Sequence, residues 1–329
     1  MDRIAVTDGL ASAAVTKLLD DGYEVVEEHF SPEQLESGAL ADFDAIIVRS
    51  ATKLTKSVIE ASDGLRVIGR AGVGVDNIDL EAASEKGIIV VNAPMASTQS
   101  VVELTIGHLL ASTRKLAECD RGLREGKWQK KQMQGTELSG KALGLIGFGR
   151  IAQKVAEVAE VFGMEVHAYD PYLPTKIAAK LGAIMHEEVD QLFAACTHIS
   201  VHCNLSEETH HLVNAERLAM MPGVGKDGVN CGNHLVNCAR GGIVDEKAVL
   251  LSLESGILSS AALDVFEVEP VDSEHPLLQH PSFHGTPHIG AATLEAQVRV
   301  GFDIVNAVDA AMRNELVETQ VNRELLEKE

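Results

Sequence analysis

The chain has 329 residues, of which 45% are hydrophobic and 23% charged, and this composition is that of a globular protein, not a disordered one. Its 49 acidic and 28 basic residues give a formal net charge of −21, which argues against a general binder of nucleic acid or of anionic membranes. Because no apolar run reaches the length of a membrane span and the N-terminus lacks a secretion signal, we expect a cytoplasmic protein that contacts no membrane, and the length predicts two domains.

The N-terminal part alternates short apolar strands with helices. Strands are predicted at 4–7, 24–27, 45–49, 67–69 and 88–92, and helices at 11–20, 57–61 and 80–86. Alternation of this kind predicts a parallel sheet covered by helices.

A single long helix is predicted at 100–118, followed by a more polar arm at 121–140. The arm holds Trp128, the only tryptophan of the chain. An exposed arm with a tryptophan is often a subunit contact, although it can also fold back on its own domain.

The segment from 142 to 170 has the layout of a dinucleotide-binding unit. It contains, in order, a strand at 142–146, the sequence GFGRIA at 147–152, a helix at 152–162 and a strand at 165–169. Gly147 allows a tight turn, Gly149 lets a pyrophosphate approach the backbone, and Ala152 lets the helix lie close to the sheet. Asp170 follows Gly147 by 23 residues and is suited to bond the ribose hydroxyls and repel a 2′-phosphate. The pattern therefore predicts NAD as the cofactor and disfavours NADP.

The alternation continues after this unit. Further strands are predicted at 199–202, 235–238, 261–264 and 283–286, and a final helix at 294–313. A loop at 222–233 is rich in turn-forming residues, and its function is not readable from the sequence. The whole pattern predicts an α/β protein with two doubly wound parallel-sheet domains of the Rossmann or flavodoxin type, and the final helix could belong to either half.

Three polar side chains follow successive strands of the second half. Arg240 comes after the strand at 235–238, Glu269 after the next strand, and His288 after the one following. Ligands of open α/β sheets bind at this edge of the sheet. An arginine can clamp a carboxylate, and a glutamate beside a histidine stabilises the imidazolium. Taken singly, each could be a surface or structural residue, but their common position predicts one catalytic site.

Metal binding is not expected. The five cysteines, which form no CxxC pair, are Cys119, Cys196, Cys203, Cys231 and Cys238. An odd number without such a pair is typical of reduced thiols. The groups His198–His202–Cys203 and His210–His211 lack the spacing of a zinc site.

The motifs together resemble the D-isomer-specific 2-hydroxyacid dehydrogenases. They lie at 48–53 (VRSATK), 69–79 (GRAGVGVDNID), 147–152, 237–245 (NCARGGIVD), 264–270 (DVFEVEP) and 287–293 (PHIGAAT), and so span nearly the whole chain. The resemblance implies a discontinuous substrate-binding domain, 1–95 plus 293–329, and an NAD-binding Rossmann domain at 96–292.

The resemblance also implies residue roles. Arg240 would bind the substrate carboxylate and carbonyl oxygen, His288 would be the acid–base group, and Glu269 its partner. The implied cofactor-binding residues are Val73, Gly147, Gly149, Arg150, Ile151, Asp170, Cys203, Cys238, Ala239, Asp264, Gly290 and Ala291, with Asp264 holding the nicotinamide carboxamide. The implied substrate-binding residues are Arg49, Lys53, Arg70, Val73, Gly74, Arg240 and His288, with Arg49 and Lys53 facing a phosphate.

Within the family, the first two motifs are typical of members that oxidise 3-phospho-D-glycerate to 3-phosphohydroxypyruvate with NAD, the first step of L-serine biosynthesis. That reaction is the function we expect, on a small anionic 2-hydroxy acid. The alternatives are a hydroxypyruvate or glyoxylate reductase of the same family, or a dinucleotide-sensing scaffold that resembles a corepressor.

The resemblance further implies a homodimer or homotetramer, in which Lys130 or Lys131 of the arm would assist a second subunit's site. Three features depart from the family pattern. Ala152 replaces the last fingerprint glycine, the loop at 224–233 is longer, and the chain ends near Glu329 without the C-terminal ACT domain of some relatives. Feedback through such a domain is therefore not expected.

Overall fold

In the computed structural model, residues 1–174 and 182–327 are described, and the chain forms two compact units. Unit 1 comprises Met1–Thr98 and Ala291–Glu329, and unit 2 comprises Gln99–Gly290. Each unit holds one parallel sheet with helices packed on it, so the predicted α/β fold class is confirmed. Within the described residues, no helix combines the length and the apolar character needed to cross a bilayer.

Unit 1 has a five-stranded sheet in the order β2-β1-β3-β4-β5. Its strands are β1 (Arg3–Val6), β2 (Glu24–Glu27), β3 (Ala45–Val48), β4 (Val67–Arg70) and β5 (Ile89–Asn92). Its helices are α1 (Ser12–Asp20), α2 (Pro32–Glu36), α3 (Lys56–Glu60), α4 (Leu80–Glu85), α12 (Leu294–Met312) and α13 (Arg323–Leu326). The fully buried run of β3 matches its sequence of four apolar residues, as expected for a central parallel strand.

The long C-terminal helix α12 packs directly on the sheet of unit 1. At Gly69 of β4, an added Cβ would lie 2.5 Å from Val308 Cγ2 and 3.2 Å from Ile304 Cγ1. Both side chains are fully buried. The glycine is therefore required for this close approach, and the C-terminal segment completes the core that the N-terminal strands begin.

Unit 2 has a seven-stranded sheet in the order β12-β11-β10-β9-β6-β7-β8. Its strands are β6 (Ala142–Ile146), β7 (Glu165–Tyr169), β8 (Ile184–Met185), β9 (His198–Val201), β10 (His234–Asn237), β11 (Ser260–Leu263) and β12 (Phe283–Gly285). Outside residues 175–181, its helices are α5 (Thr98–Thr113), α6 (Leu116–Arg124), α7 (Arg150–Val161), α8 (Val189–Ala195), α9 (Ala215–Met220), α10 (Glu246–Glu254) and α11 (Pro276–Gln279). Apolar clusters cover both faces of the sheet, which is the doubly wound arrangement.

The prediction of one helix at 100–118 is wrong. The chain leaves α5 after Thr113, passes through Lys115 at φ 50°, and begins α6 at Leu116. The carbonyl of Thr113 accepts a hydrogen bond from Thr136 N–H (3.2 Å) instead of continuing the helix. A Cβ at Gly135 would lie 2.3 Å from that same carbonyl oxygen. The arm therefore ends the helix by packing against its last turn, which periodicity alone does not reveal.

The turn-rich segment at 222–233 is a loop, as predicted. Val224 and Asn230 form an antiparallel bridge, and Asp227 pairs with the buried Lys141 at 2.6 Å. Lys226 also pairs with Glu165 of β7. The loop is thus tied to the starts of β6 and β7, at the edge of the sheet opposite the catalytic residues.

Candidate active site

The glycine fingerprint forms a tight turn between β6 and α7. Gly147 has φ +83°, and a Cβ there would lie 2.8 Å from the backbone nitrogen of Cys203. Gly149 caps α7 without a side-chain bond among the described residues, and nothing lies within 4 Å of its Cβ position. Arg150 and Ile151 form the first turn of the helix. Open space at a helix N-terminus, where the first N–H groups have no partner within the helix, fits a pyrophosphate.

Asp170 lies beside this turn, at the carboxyl end of β7. Its Oδ2 accepts a hydrogen bond from Phe148 N–H (2.9 Å), and its Oδ1 accepts one from Tyr172 N–H (3.0 Å). The carboxylate therefore has a fixed orientation next to the fingerprint. This is the placement that ribose recognition in NAD requires.

We expect Asp170→Asn to raise kcat/KM with NADP at least about tenfold and to lower it with NAD, because the repulsive charge is removed. The asparagine keeps an oxygen that can accept from Phe148 N–H, so the turn is retained. Steady-state kinetics with both dinucleotides measures the ratio. The matched control is Glu157→Gln, which removes an exposed carboxylate from α7. An unchanged NADP/NAD ratio in Asp170→Asn would refute the assignment.

The two cysteines predicted at the cofactor site follow neighbouring strands. Cys203 comes after β9, and Cys238 comes after β10 and before Ala239. Burial raises the pKa of the Cys203 thiol to about 11 and that of Cys238 to about 12. Both are therefore neutral packing groups, with no thiolate character near neutral pH.

Glu269 and His288 form a direct pair, as the sequence predicts. Nδ1 of His288 lies 2.7 Å from Oε2 of Glu269, and Phe266 N–H donates to the other carboxylate oxygen (3.0 Å). Burial acts to raise the pKa of Glu269, but the bonds from His288 and Phe266 and the charges of His288 and Arg240 outweigh it, so that the pKa lies below its usual value. Because an ionised carboxylate only accepts, Nδ1 carries the proton and Nε2 is left as the basic nitrogen.

Arg240 lies on the segment that follows β10, and the side chain of Asn237 holds this segment in place. The Asn237 side chain donates to the carbonyl of Arg240 (2.9 Å) and accepts from Ala239 N–H (2.9 Å). Nη1 of Arg240 donates to the carbonyl of Ala239 (2.7 Å). The charge of the guanidinium contributes to the lowered pKa of Glu269, so Arg240 lies within electrostatic reach of the Glu269–His288 pair.

Asp264 anchors the turn that carries His288. Its Oδ1 accepts from Thr286 Oγ1 (2.6 Å) and Ile289 N–H (2.8 Å), and its Oδ2 accepts from Gly290 N–H (2.8 Å). Its own carbonyl accepts from His288 N–H (2.8 Å), and His288 has φ +52°. These bonds hold a backbone conformation that is unfavourable for histidine. The contact of Asp264 with a nicotinamide carboxamide stays a prediction.

The predicted phosphate-binding cations lie at the carboxyl ends of strands in unit 1. Arg49 follows β3, Arg70 ends β4, and Lys53 is exposed. Asp8, which the sequence analysis missed, fixes this segment because its Oδ2 accepts from the backbone N–H of Arg49 (2.7 Å) and of Thr52 (3.1 Å). The sequence feature that could have indicated Asp8 is its position two residues after the first strand.

Val73 and Gly74 lie in the turn after β4. Asn92 donates to the carbonyl of Val73 (2.7 Å). At Gly72, which has φ +155°, a Cβ would lie 1.6 Å from Nη1 of Arg70. Only glycine leaves room for the Arg70 guanidinium to lie over this turn. Ala291, the last predicted cofactor contact, begins the C-terminal part of unit 1, and its carbonyl accepts from Gln297 (2.8 Å).

Three other histidines of unit 2 contribute to packing. Burial lowers the pKa of His202, His234 and His284 to about 4. His202 contacts Ser200 at 2.9 Å, and His234 contacts Ser260 at 2.7 Å. The low pKa keeps these three rings neutral. They are internal, whereas His288 is 38% exposed and paired with a carboxylate.

The fold and this arrangement are those expected of a nicotinamide-dependent dehydrogenase. Residues 106–290 match the family model described as the D-isomer specific 2-hydroxyacid dehydrogenase NAD-binding domain. The chain belongs to the D-isomer-specific 2-hydroxyacid dehydrogenases, and NAD is the cofactor of that family's domain. The resemblance stated from the motifs is confirmed.

Among its relatives, the chain is 44% identical over 322 residues to D-3-phosphoglycerate dehydrogenase of Methanocaldococcus jannaschii, covering 98% of this chain and 60% of that protein. It is 45% identical over 309 residues to hydroxypyruvate reductase of Thermotoga maritima, covering 93% of this chain and 97% of that protein. A crystal structure of the TT0316 protein from Thermus thermophilus superimposes with a TM-score of 0.87 at 33% identity, covering 97% and 99% of the two chains. The chain spans only 51–60% of the phosphoglycerate dehydrogenases that it matches.

Proposed function

We propose that the protein oxidises 3-phospho-D-glycerate to 3-phosphohydroxypyruvate with NAD. The observation that carries the proposal is the His288–Glu269 pair at 2.7 Å with Arg240 near it, in a family that acts on small 2-hydroxy acids. The names of several relatives, together with the cations of unit 1, support a phosphorylated substrate.

His288 is the general base of the oxidation. Its Nε2 takes the proton of the 2-hydroxyl while the C2–H bond breaks and the carbonyl bond forms. The glycine fingerprint and Asp170 would hold NAD, which would supply the acceptor for the hydride that leaves C2. Glu269 stays ionised beside Nδ1 and stabilises the imidazolium that results. In the reverse direction the imidazolium returns the proton to the carbonyl oxygen.

Arginine and lysine side chains orient the substrate. The Arg240 guanidinium holds the substrate carboxylate through two parallel hydrogen bonds, a geometry that lysine cannot reproduce. Arg49 and Lys53 bind the phosphate. The family resemblance implies that Arg70 lies near them. Asp8 holds the Arg49 backbone in place for this contact.

Comparing kcat/KM for 3-phospho-D-glycerate and for D-glycerate tests the substrate. We expect a preference for the phosphorylated acid, and Arg49→Ala should raise its KM about 10- to 100-fold, because a charge-assisted bond is lost. D-Glycerate kinetics should be nearly unchanged in that variant. Lys56→Ala, which removes an exposed cation from α3, is the control. Equal kcat/KM for the two acids would end the phosphate assignment.

A second candidate is reduction of hydroxypyruvate or glyoxylate. The identity to the T. maritima hydroxypyruvate reductase, over 97% of that protein's length, favours it. Under this alternative, NADH-dependent turnover of hydroxypyruvate would exceed that of 3-phosphohydroxypyruvate, and Arg49→Ala would leave KM unchanged. Absence of turnover with every acid would favour the dinucleotide-sensing scaffold.

The homodimer or homotetramer and the cytoplasmic location stay predictions. A subunit contact through the arm is supported by the exposed apolar side chains at and near it, Leu116, Leu123 and Trp128, the last of which is 83% exposed. The contribution of Lys130 or Lys131 to a second subunit's site belongs to the same proposal.

A further inference from the structure

Two loops of unit 2 carry the proposed catalytic arginine and glutamate, and they touch at Gly241. A Cβ on Gly241 would lie 1.8 Å from the carbonyl oxygen of Phe266 and 3.0 Å from the backbone nitrogen of Glu267. Arg240 is the residue before this contact, and Glu269 is two residues beyond Glu267. The position of Glu267 therefore affects the separation of the Arg240 and Glu269 side chains.

At this junction, the backbone N–H of each of Glu267 and Glu246 donates to the side-chain carboxylate of the other. The Glu267 N–H donates to Oε1 of Glu246 (2.7 Å), and the Glu246 N–H donates to Oε1 of Glu267 (3.3 Å). Glu246 is 8% exposed, and its other oxygen lies 3.1 Å from Nε2 of His275. The start of α10 and the segment after β11 are thus joined by two carboxylates.

His211 adds the third element to this junction. Its Nε2 lies 2.9 Å from Oε1 of Glu267, and its backbone N–H donates to the carbonyl of Gly242 (2.8 Å). Its Nδ1 lies 4.0 Å from Oδ2 of Asp245. One residue thereby contacts both the loop after Arg240 and the loop before Glu269. Its φ of +50° is uncommon for a residue other than glycine.

His211, Asp245 and Glu267 have ligand-type atoms within 4.8 Å of one another. The closest approaches nevertheless use opposite ring nitrogens, Nε2 toward Glu267 and Nδ1 toward Asp245. A metal ion would bind only one of them. The arrangement is therefore that of a histidine hydrogen bonded to Glu267, with the Asp245 carboxylate 4.0 Å from its other ring nitrogen.

We propose that Glu267, held by His211, is a positioning residue that sets the distance between the Arg240 guanidinium and the Glu269–His288 pair. The inference rests on the proposed roles of Arg240 and Glu269. Glu267 acts as a hydrogen-bond acceptor for two groups, the His211 ring and the Glu246 N–H, so its shape and oxygen atoms matter more than its charge.

The test compares Glu267→Ala, Glu267→Gln, His211→Asn and the Glu267→Ala/His211→Asn double variant with Glu254→Ala as control. Asparagine tolerates the positive φ at position 211, and Glu254 is an exposed residue at the end of α10. The readouts are kcat and KM on the best 2-hydroxy acid, NADH affinity, thermal midpoint, and the affinity of the enzyme–NADH complex for oxamate, an unreactive 2-oxo acid analogue.

We expect Glu267→Ala to lower both kcat and oxamate affinity about 10- to 100-fold, because small displacements of reacting groups have effects of this size. NADH affinity should stay within about twofold, and Glu267→Gln should recover most of the loss because an acceptor oxygen remains. The double variant should be no worse than Glu267→Ala, since the two residues act as one unit.

Unchanged kcat and oxamate affinity in Glu267→Ala, or independent and multiplicative effects of the two single substitutions, would overturn the proposal. A parallel loss of NADH affinity and thermal midpoint in all variants would also overturn it, because it would indicate a general structural role. A wild-type preference for D-glycerate would refute only the phosphate specificity. Oxamate binding decides the positioning role even if no acid is turned over.

Discussion

Replacing His288 with glutamine is expected to lower kcat by about 10³-fold, within the range that removal of a general acid–base group produces. Glutamine has a similar reach and can hydrogen bond to Glu269, but it cannot take the proton of the 2-hydroxyl. The neutral ring is needed for oxidation and the protonated ring for reduction. Both directions of the reaction should therefore slow in His288→Gln.

Glu269→Gln provides the companion measurement. The low pKa of Glu269 keeps it ionised at neutral pH, so the substitution removes a charge that stabilises the imidazolium. We expect a smaller loss than for His288→Gln, and the double variant should resemble His288→Gln because the pair acts as a unit. His29→Gln, at an exposed position in unit 1, is the control. Retention of more than about a tenth of wild-type kcat by His288→Gln would contradict the assigned role.

Replacing Arg240 with lysine is expected to lower kcat/KM by about 100-fold, and replacement with glutamine by more. A lysine keeps the positive charge but loses the two parallel N–H donors that match a carboxylate. The comparison separates geometry from charge, since a purely electrostatic role would leave Arg240→Lys nearly active. Steady-state kinetics and NADH affinity should be measured together, and NADH affinity should change little.

Arg124→Lys is the matched control for this substitution, because Arg124 is an exposed residue of α6 that pairs with Asp120. An Arg240→Lys variant whose kcat/KM lies within about threefold of the wild type would show that no bidentate contact is made.

Much of the fold follows from local sequence patterns. The short apolar runs of β3 and β6 are typical of strands in the interior of a parallel sheet, and the fingerprint after β6 specifies the turn into α7. The break at Lys115 depends on a hydrogen bond from Thr136, which lies 21 residues further along the chain. No pattern within the helix indicates it.

In the candidate site too, some residues are predictable from local sequence patterns and others are not. Arg240, Glu269 and His288 were predictable because each follows a strand of one sheet, and parallel strands end at the same edge. His211, Glu267 and Asp8 were missed because their importance comes from contacts with segments distant in sequence. The DVFEVEP motif contains Glu267, but only the close approach at Gly241 shows which carboxylate of the motif supports its neighbours.

A crystal structure of the protein with NADH and oxamate would test the roles of Arg240 and His288 together. We expect the oxamate carboxylate within about 3 Å of the Arg240 guanidinium, and its 2-oxo oxygen within about 3 Å of Nε2 of His288. Oxamate bound with either group more than about 6 Å away, where no proton transfer or direct hydrogen bond is possible, would contradict these roles.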